Sequence, residues 1–415
     1  MTDSWGGGWT RREFILTAGV SAATALLPSC SRKPKGDLEK KLSDIVRVAP
    51  GYRWEELATG LVHPGDVTVN SVDGSVFFTQ SNLHRFSKKY DLTDYRVVDK
   101  LINENGYSLN VFGLVNGVPA LRFEGVPSKS ADECEDTHIK INSKSGQEIF
   151  IFTGFDIFRS GVLSIYDLKT GGLKARIEDP RSFNPLDTAV NPVDGKLYLC
   201  LYEPAPSAHD SFEFSVYYLD TERTSFVRLF DKNDVNQPRF DGDGSLCFDQ
   251  EGNLYVVVPS HPHRHPDRAD TWSNCFEVTK ISPNRDIGEF EVDTQVIMPR
   301  EGNFTRGCTK FDDVSKRLIF GGMCRYNWYR NGIVLAADTV IKERTKEEKR
   351  FRTHIERKKF ETVAWLEHWL RDGKEVGGAG DIEAYQVNGF DVAKGEYYIS
   401  AGWNYSGRIF KITPV

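Results

Sequence analysis

The chain has 415 residues, 59 Asp and Glu against 53 Lys and Arg, a formal net charge of −6 and a pI near 5.9. That balance excludes the basic footprint of a general nucleic-acid binder, while 26 Phe, 16 Tyr and 8 Trp supply ample material for a large core. No GxSxG, P-loop, HExxH, Rossmann glycine set or CxxCH stretch occurs, so serine-hydrolase, nucleotide-dependent and haem chemistry have no motif to stand on.

Residues 10–30 read TRREFILTAGVSAATALLPSC, in which Arg11 and Arg12 precede a short apolar run that ends near Cys30. The run is too short for a stable membrane anchor and its flanks are those of an export signal. The consecutive arginines resemble a twin-arginine signal peptide, and Leu27-Pro28-Ser29-Cys30 resembles a bacterial lipobox. That resemblance implies cleavage before Cys30, lipidation of its thiol, and display on the cell envelope facing the periplasm or the outside. Residues 1–30 are then a signal peptide and 31–45, beginning SRKPKGDLEKKLSD, a charged tether with too few apolar residues to fold. Six cysteines follow Cys30 in a compartment that permits disulfides; they are scattered, and six allow fifteen pairings, so no pairing is assigned.

From residue 46 to 415 one pattern recurs, an apolar alternation, a polar turn with Gly or Asp, then a β-rich run. It appears as DVTVNSVDGSVFFT from Asp66, a weaker LNVFGLVNGVPALRF from Leu109, HIKINSKSGQEIFIF from His138 and DTAVNPVDGKLYLC from Asp187. GSLCFDQEGNLYVVV from Gly244, CTKFDDVSKRLIFGG from Cys308 and NGFDVAKGEYYIS from Asn388 complete the set. Most copies are followed by a third strand and then a fourth. Hairpins with two added strands describe the blades of an all-β β-propeller, here with seven blades and six as the alternative. The last unit reaches Val415 with three strands, so Tyr52–Leu57 (YRWEEL) is expected to supply its outer strand and close a single domain over 46–415. Residues 341–373 break the pattern with a highly charged run that reads as a helical or irregular insertion in blade six, its solvated face mixing Glu with Lys and Arg.

Antiparallel pairing places the start of each first strand and the end of each second strand at one end of the domain. The opening residues Asp66, His138, Asp187, Asp243 beside Gly244, Cys308 and Asn388 then line a central channel. Asp66, Asp187, Asp243 and Asn388 offer the hard oxygens that calcium takes. Asp187, Asp66 and His138 are the candidates for proton transfer. The loops above them carry His209, Trp272, Trp328, Tyr329 and Trp403, suited to stacking on sugar or packing against a partner. They also carry PSHPHRHPDRADTW, with His261, His263 and His265 on alternate positions. In an extended strand the three imidazoles share a side and suit zinc or copper; Pro262 and Pro266 favour a polyproline II path that splays them. Cys324, near this loop, reads as a buried or bridged cysteine rather than a nucleophile.

The hairpins DGDGSLCFDQEGNLYVVV, DTAVNPVDGKLYLC and NGFDVAKGEYYIS resemble those of the SMP-30/gluconolactonase/NHL propellers. The resemblance implies a channel metal, typically calcium, that polarises a lactone or phosphoester. This chain departs from it: Asp187 stands where the family has Asn, Asp243 falls one position off, and Asp66 replaces a Glu-x-Pro opening. Two functions follow. The first is an exported, lipid-anchored, monomeric propeller that binds a protein, peptide or glycan on its loop face. The second is a metal-dependent hydrolase or lyase at the channel mouth, using calcium or a transition metal.

Overall fold

The computed structural model describes residues 46–415 except 93–94, 126–136, 156–158, 179–184, 204–212, 223–224, 231–239, 242–243, 261–274, 284–289, 298–302, 327–328, 339–360, 367–369, 372–373, 376–386 and 403–406. In chain order, β1 (Val46–Val48) and β2 (Tyr52–Leu61) precede the first sheet, β3 (Val67–Val69), β4 (Val76–Ser81), β5 (Leu109–Val115) and β6 (Val118–Phe123). The second sheet is β7 (Thr137–Ile141), β8 (Glu148–Phe155), β9 (Arg159–Asp167) and β10 (Leu173–Glu178). The third is β11 (Pro185–Val190), β12 (Leu197–Glu203), β13 (Glu213–Asp220) and β14 (Ser225–Arg228), with the short β15 (Phe240–Asp241) beside β13. The fourth is β16 (Ser245–Phe248), β17 (Leu254–Ser260), β18 (Cys275–Pro283) and β19 (Phe290–Ile297). The fifth is β20 (Asn303–Asp312), β21 (Arg317–Tyr326), β22 (Tyr329–Asp338) and β23 (Glu361–Leu366). A small ribbon, β24 (Leu370–Arg371) and β25 (Lys374–Glu375), follows it. The last sheet is β26 (Val387–Ala393), β27 (Glu396–Ala401) and β28 (Gly407–Pro414).

Among the described residues the first strands of these sheets meet in a closed ring, each touching the next: β3, β7, β11, β16, β20, β26 and back to β3. This is the radial repetition of a β-propeller. The two chain ends close it. Strand β2 pairs antiparallel with β28 from Tyr52↔Pro414 to Leu61↔Gly407, and Trp54 packs edge-on against Phe410 at 5.8 Å. Strand β1 goes further and adds a fifth, outermost strand to the neighbouring sheet by pairing with β23. One N-terminal segment thus spans two sheets.

Strict alternation divides the core into wedges, because successive strand residues face opposite sides of a sheet. In β8, Ile149 and Ile151 pack toward the first sheet with Phe77, Val111, Ile139 and Ile141. Phe150 and Phe152 pack toward the third with Leu163, Leu197, Leu199 and Leu201. Each such fully buried side chain contributes about 1.5–3 kcal/mol. At the opposite end from the channel mouth the inner hairpins turn on local chemistry: Asn70 Oδ1 accepts Val72 N–H at 3.0 Å, Asp73 Oδ1 accepts Ser75 N–H at 2.8 Å, and Gly74 takes φ 79°. These turns interlock around the ring. Asn70 Nδ2 donates to Gly146 O at 3.1 Å in the next sheet, and a Cβ on Gly146 would stand 2.7 Å from Val72 Cγ2.

Two sequence expectations are corrected. The seven-bladed count is wrong: residues 109–123, taken as a separate unit, are β5 and β6, the outer strands of the first sheet, paired to β4 from Phe77↔Gly113 to Ser81↔Leu109. The stretch 341–373 is not a helical insertion throughout, since Glu361–Leu366 is a strand paired with β22; residues 341–360 lie outside the described residues. The fold also holds an unforeseen helix, α1 (Tyr95–Asn105), between β4 and β5, which buries Val98, Leu101 and Ile102 against Val62, Leu83 and Leu109.

Candidate functional site

Three short acidic side chains on inner strands do one job. Asp66, just ahead of β3, accepts its neighbour's Val67 N–H on Oδ1 at 2.9 Å and Ile139 N–H of the second sheet on Oδ2 at 3.0 Å. Asp187 accepts Thr188 N–H on Oδ1 at 2.8 Å and Leu246 N–H of the fourth sheet on Oδ2 at 3.1 Å. Asp391 accepts Val392 N–H on Oδ1 at 2.9 Å, then Val69 N–H at 2.8 Å and Thr68 Oγ1–H at 2.9 Å of the first sheet on Oδ2. Each carboxylate therefore holds its own strand with one oxygen and the next inner strand with the other. Inner strands have no ladder between sheets, so these side chains supply the missing joints and satisfy N–H groups that burial would leave orphaned. Between the fourth and fifth sheets Ser245 Oγ and Thr309 Oγ1 meet at 2.7 Å.

Two buried lysines balance these acids, one on the second sheet and one on the fifth, across the ring from each other. Lys140 Nζ stands 2.6 Å from Asp66 Oδ2 and 2.8 Å from Ile139 O. Lys310 Nζ lies 3.8 Å from Asp187 Oδ2, and the side chains are 9 % and 3 % exposed. Burial alone would raise the Asp66 carboxyl, but the Lys140 ammonium, then His138 and the Ile139 amide, outweigh it and hold it below the ordinary carboxylate range. Burial opposes charge on Lys310 too, and Asp187, Asp391 and Asp66 overcome it, keeping the ammonium charged. Asp391 is the reverse case: burial pushes its carboxyl up, against the pull of Lys140, Lys310 and its own donors.

Of the sequence candidates, the structure brings together Asp66 and His138, whose Nδ1 is 4.0 Å from Asp66 Oδ2. Asp187 belongs to the separate joint with Leu246 and Lys310. Asn388 uses its amide differently, donating from Nδ2 to Pro64 O at 2.8 Å and Gly402 O at 2.6 Å, where the last sheet meets the first. Asp243, His209, His261, His263, His265, Trp272, Trp328 and Trp403 lie outside the described residues. Tyr329 opens β22 opposite Tyr326. The strand ends flanking the loops are Glu203 and Glu213, Ser260 and Cys275, Tyr326 and Tyr329, and Ala401 and Arg408; all pair at the channel-mouth end.

This donor set does not suit a hard cation. Asp66 and Asp187 already accept two backbone N–H groups each and face ammonium groups, whereas calcium asks for several uncommitted oxygens. Among the described residues no three of His, Cys, Asp and Glu gather closely enough to hold a metal. Cys200, Cys247 and Cys308 are free thiols; burial pushes all three up, Cys308 to about 12, so none is a ready thiolate. Sequence reasoning missed Lys140, Lys310 and Asp391. A signal was there: Lys140 and Lys310 each stand two positions after the residue opening an inner strand, His138 and Cys308, where strand alternation returns a side chain to the same face.

No family model and no curated protein matches the chain. Solved structures match in overall form. A gluconolactonase of Xanthomonas campestris is 12% identical with a TM-score of 0.45, covering 88% of this chain and 90% of its own. A putative gluconolactonase is 13% identical with a TM-score of 0.40, covering 90% and 95%. An auxiliary nutrient binding protein of Bacteroides thetaiotaomicron is 10% identical with a TM-score of 0.44, covering 85% and 69%. At these identities and scores the matches assign no activity. The strand pairing and the closed ring of inner strands identify the chain, on their own evidence, as an all-β β-propeller.

Proposed function

We propose that the chain is an exported, lipid-anchored propeller that binds a protein, peptide or glycan ligand with the loops at its channel mouth. The observation carrying this reading is the state of the channel: Asp66, Asp187 and Asp391 are committed to joining sheets and Lys140 and Lys310 to neutralising them. A channel so occupied is a rigid scaffold, and recognition passes to the loops that it positions, as is usual for function carried on a fixed framework. Those loops hold His209, His261, His263, His265, Trp272, Trp328 and Trp403, with Tyr329 beside them. Aromatic rings give large contact area at little conformational cost, and they stack on sugar faces or pack in peptide interfaces.

The test is binding of the purified protein to glycan and peptide arrays, followed by Trp328→Ala and Trp403→Ala. Loss of a ligand by at least roughly tenfold in either variant supports the reading, since a buried aromatic anchor contributes about 2 kcal/mol or more. Array-wide silence, or variants that bind like the parent, refutes it. A hydrolytic reading keeps one observation in its favour, His138 beside Asp66. Its metal would need ligands other than Asp66 and Asp187, and elemental analysis of protein purified without chelator decides between the two.

A further inference from the structure

The insertion between β4 and β5 rises from the channel-mouth end, because β4 runs toward that end and β5 away from it. It is held firmly at its base. Ser81 Oγ caps a short 3-10 helix, Asn82–Phe86, by accepting Leu83 N–H at 3.1 Å, and Asn82 reaches across to Gly106 O and Ser108 N–H on the returning chain. On this base Phe86 and Tyr90 pack edge to face at 6.2 Å, each half-buried against the apolar cluster of α1. Arg85 lies over the Phe86 ring at 4.8 Å and Lys89 over Tyr90 at 5.0 Å, with Lys88 exposed between them. Asp91 is the exposed acid nearest in sequence, and Lys100 on α1 is paired with Glu104 at 3.8 Å.

A second observation points the same way. Strand β1 is the outermost strand of the fifth sheet and runs antiparallel to β23, so Val46 is its end nearer the channel mouth and Val48 the farther. Val46, the first described residue, therefore stands at the channel-mouth side, and the sequence ahead of it carries Arg32, Lys33, Lys35, Lys40 and Lys41. Cations resting on half-buried aromatic rings are what a membrane interface accommodates, the rings at headgroup depth and the charges among the phosphates.

We propose that the Arg85–Tyr90 knob docks on an anionic phospholipid surface, at the same end of the molecule as Val46. In its setting this rests on the lipid-anchored reading above; its test does not. The channel-mouth loops would then work close against the membrane that carries the anchor.

The experiment is vesicle flotation of the full chain at low salt, with phosphatidylcholine vesicles and with vesicles containing phosphatidylglycerol, for the parent and for Arg85→Glu/Lys88→Glu/Lys89→Glu. The apolar leader and the basic stretch behind it are common to both proteins, so the difference between them reads the knob alone. The expected result is a loss of affinity for phosphatidylglycerol vesicles on the order of 100-fold or more, abolished by high salt, with phosphatidylcholine binding unchanged. Arg85→Lys/Lys88→Arg/Lys89→Arg should bind like the parent, which separates lost charge from lost folding. Equal binding of parent and charge-reversed protein to anionic vesicles overturns the proposal. So does displacement of the parent by polyglutamate from a site that phosphatidylglycerol does not occupy, which would mark an acidic protein surface instead. Release of protein from membranes by Cys30→Ala reports on the anchor separately, whatever the knob does.

Discussion

Replacing Asp66 with Asn keeps the shape of the joint between the first and second sheets and removes its charge. The amide oxygen can still accept Val67 N–H. Its NH2 group, however, would face two donors, Ile139 N–H and the Lys140 ammonium, now 2.6–3.0 Å away with no acceptor between them. Lys140 would be left as a buried cation with Ile139 O as its hydrogen-bond partner and the Asp391 carboxyl, beyond hydrogen-bond reach, as its facing acid. Breaking a buried pair from one side costs about 3–5 kcal/mol, because the remaining charge keeps its desolvation penalty. Removing both charges with Asp66→Asn/Lys140→Met should recover most of that loss, leaving about 1–2 kcal/mol for the weakened backbone contact. Urea unfolding of the parent, both single variants and the double variant gives the coupling directly. The acid limb is a second readout. A carboxyl held below its unfolded value contributes stability that is complete above the unfolded pKa and fades as pH falls through the folded one, so Asp66→Asn should flatten the acid-side loss. If Asp66→Asn loses less than about 1 kcal/mol, or the double variant is no more stable than the single, Asp66 is not a charged joint and the reasoning fails.

Gly389→Ala should prevent proper ring closure, since a Cβ there would stand 2.5 Å from Asp66 Cα and 2.6 Å from Val67 N, backbone atoms that cannot swing aside; soluble yield and melting temperature measure it. Gly74→Ala, with open space but φ 79°, should fold and lose only about 1 kcal/mol in chemical unfolding. Deleting residues 46–60 should lower stability by several kcal/mol and promote aggregation by baring the edges of β28 and β23, whereas deleting 31–42 should leave the melting temperature unchanged. Arg11→Lys/Arg12→Lys should hold the precursor in the cytoplasm, visible by fractionation; normal export would replace the twin-arginine route with another.

What could be read from the sequence was what is local. The inner hairpins announce themselves because Asn70, Asp73 and Gly74, and their counterparts at Asn191, Asp194 and Gly195, make turns from their own side chains and φ values. A hairpin of outer strands has the same local signature, so residues 109–123 were indistinguishable from a unit of their own until pairing with β4 placed them. The helix at Tyr95–Asn105 carries Val97, Val98, Leu101 and Ile102 at helical spacing, and was lost in a chain otherwise of period two. Asp66 and Asp187 were expected to open inner strands and offer oxygens to a metal; the partners the structure gives them, Ile139, Lys140, Leu246 and Lys310, are far away in sequence and were not legible there. The charge of Lys140 and Lys310 suggested surface, and only the ring shows that each has carboxylates to face.

The pairing of β2 with β28 also sets a clock. Arg408 and Glu56, joined across that seam, are 352 positions apart. At about 5–20 residues per second a ribosome needs roughly 20–70 seconds between them. For that whole interval the first long strand made has no partner, and the growing chain is a ring with a gap. Whatever handles this protein during synthesis must shield Tyr52–Leu61 until the final strand emerges, and transport machinery that accepts only finished folds would be selecting, in effect, for that last seam.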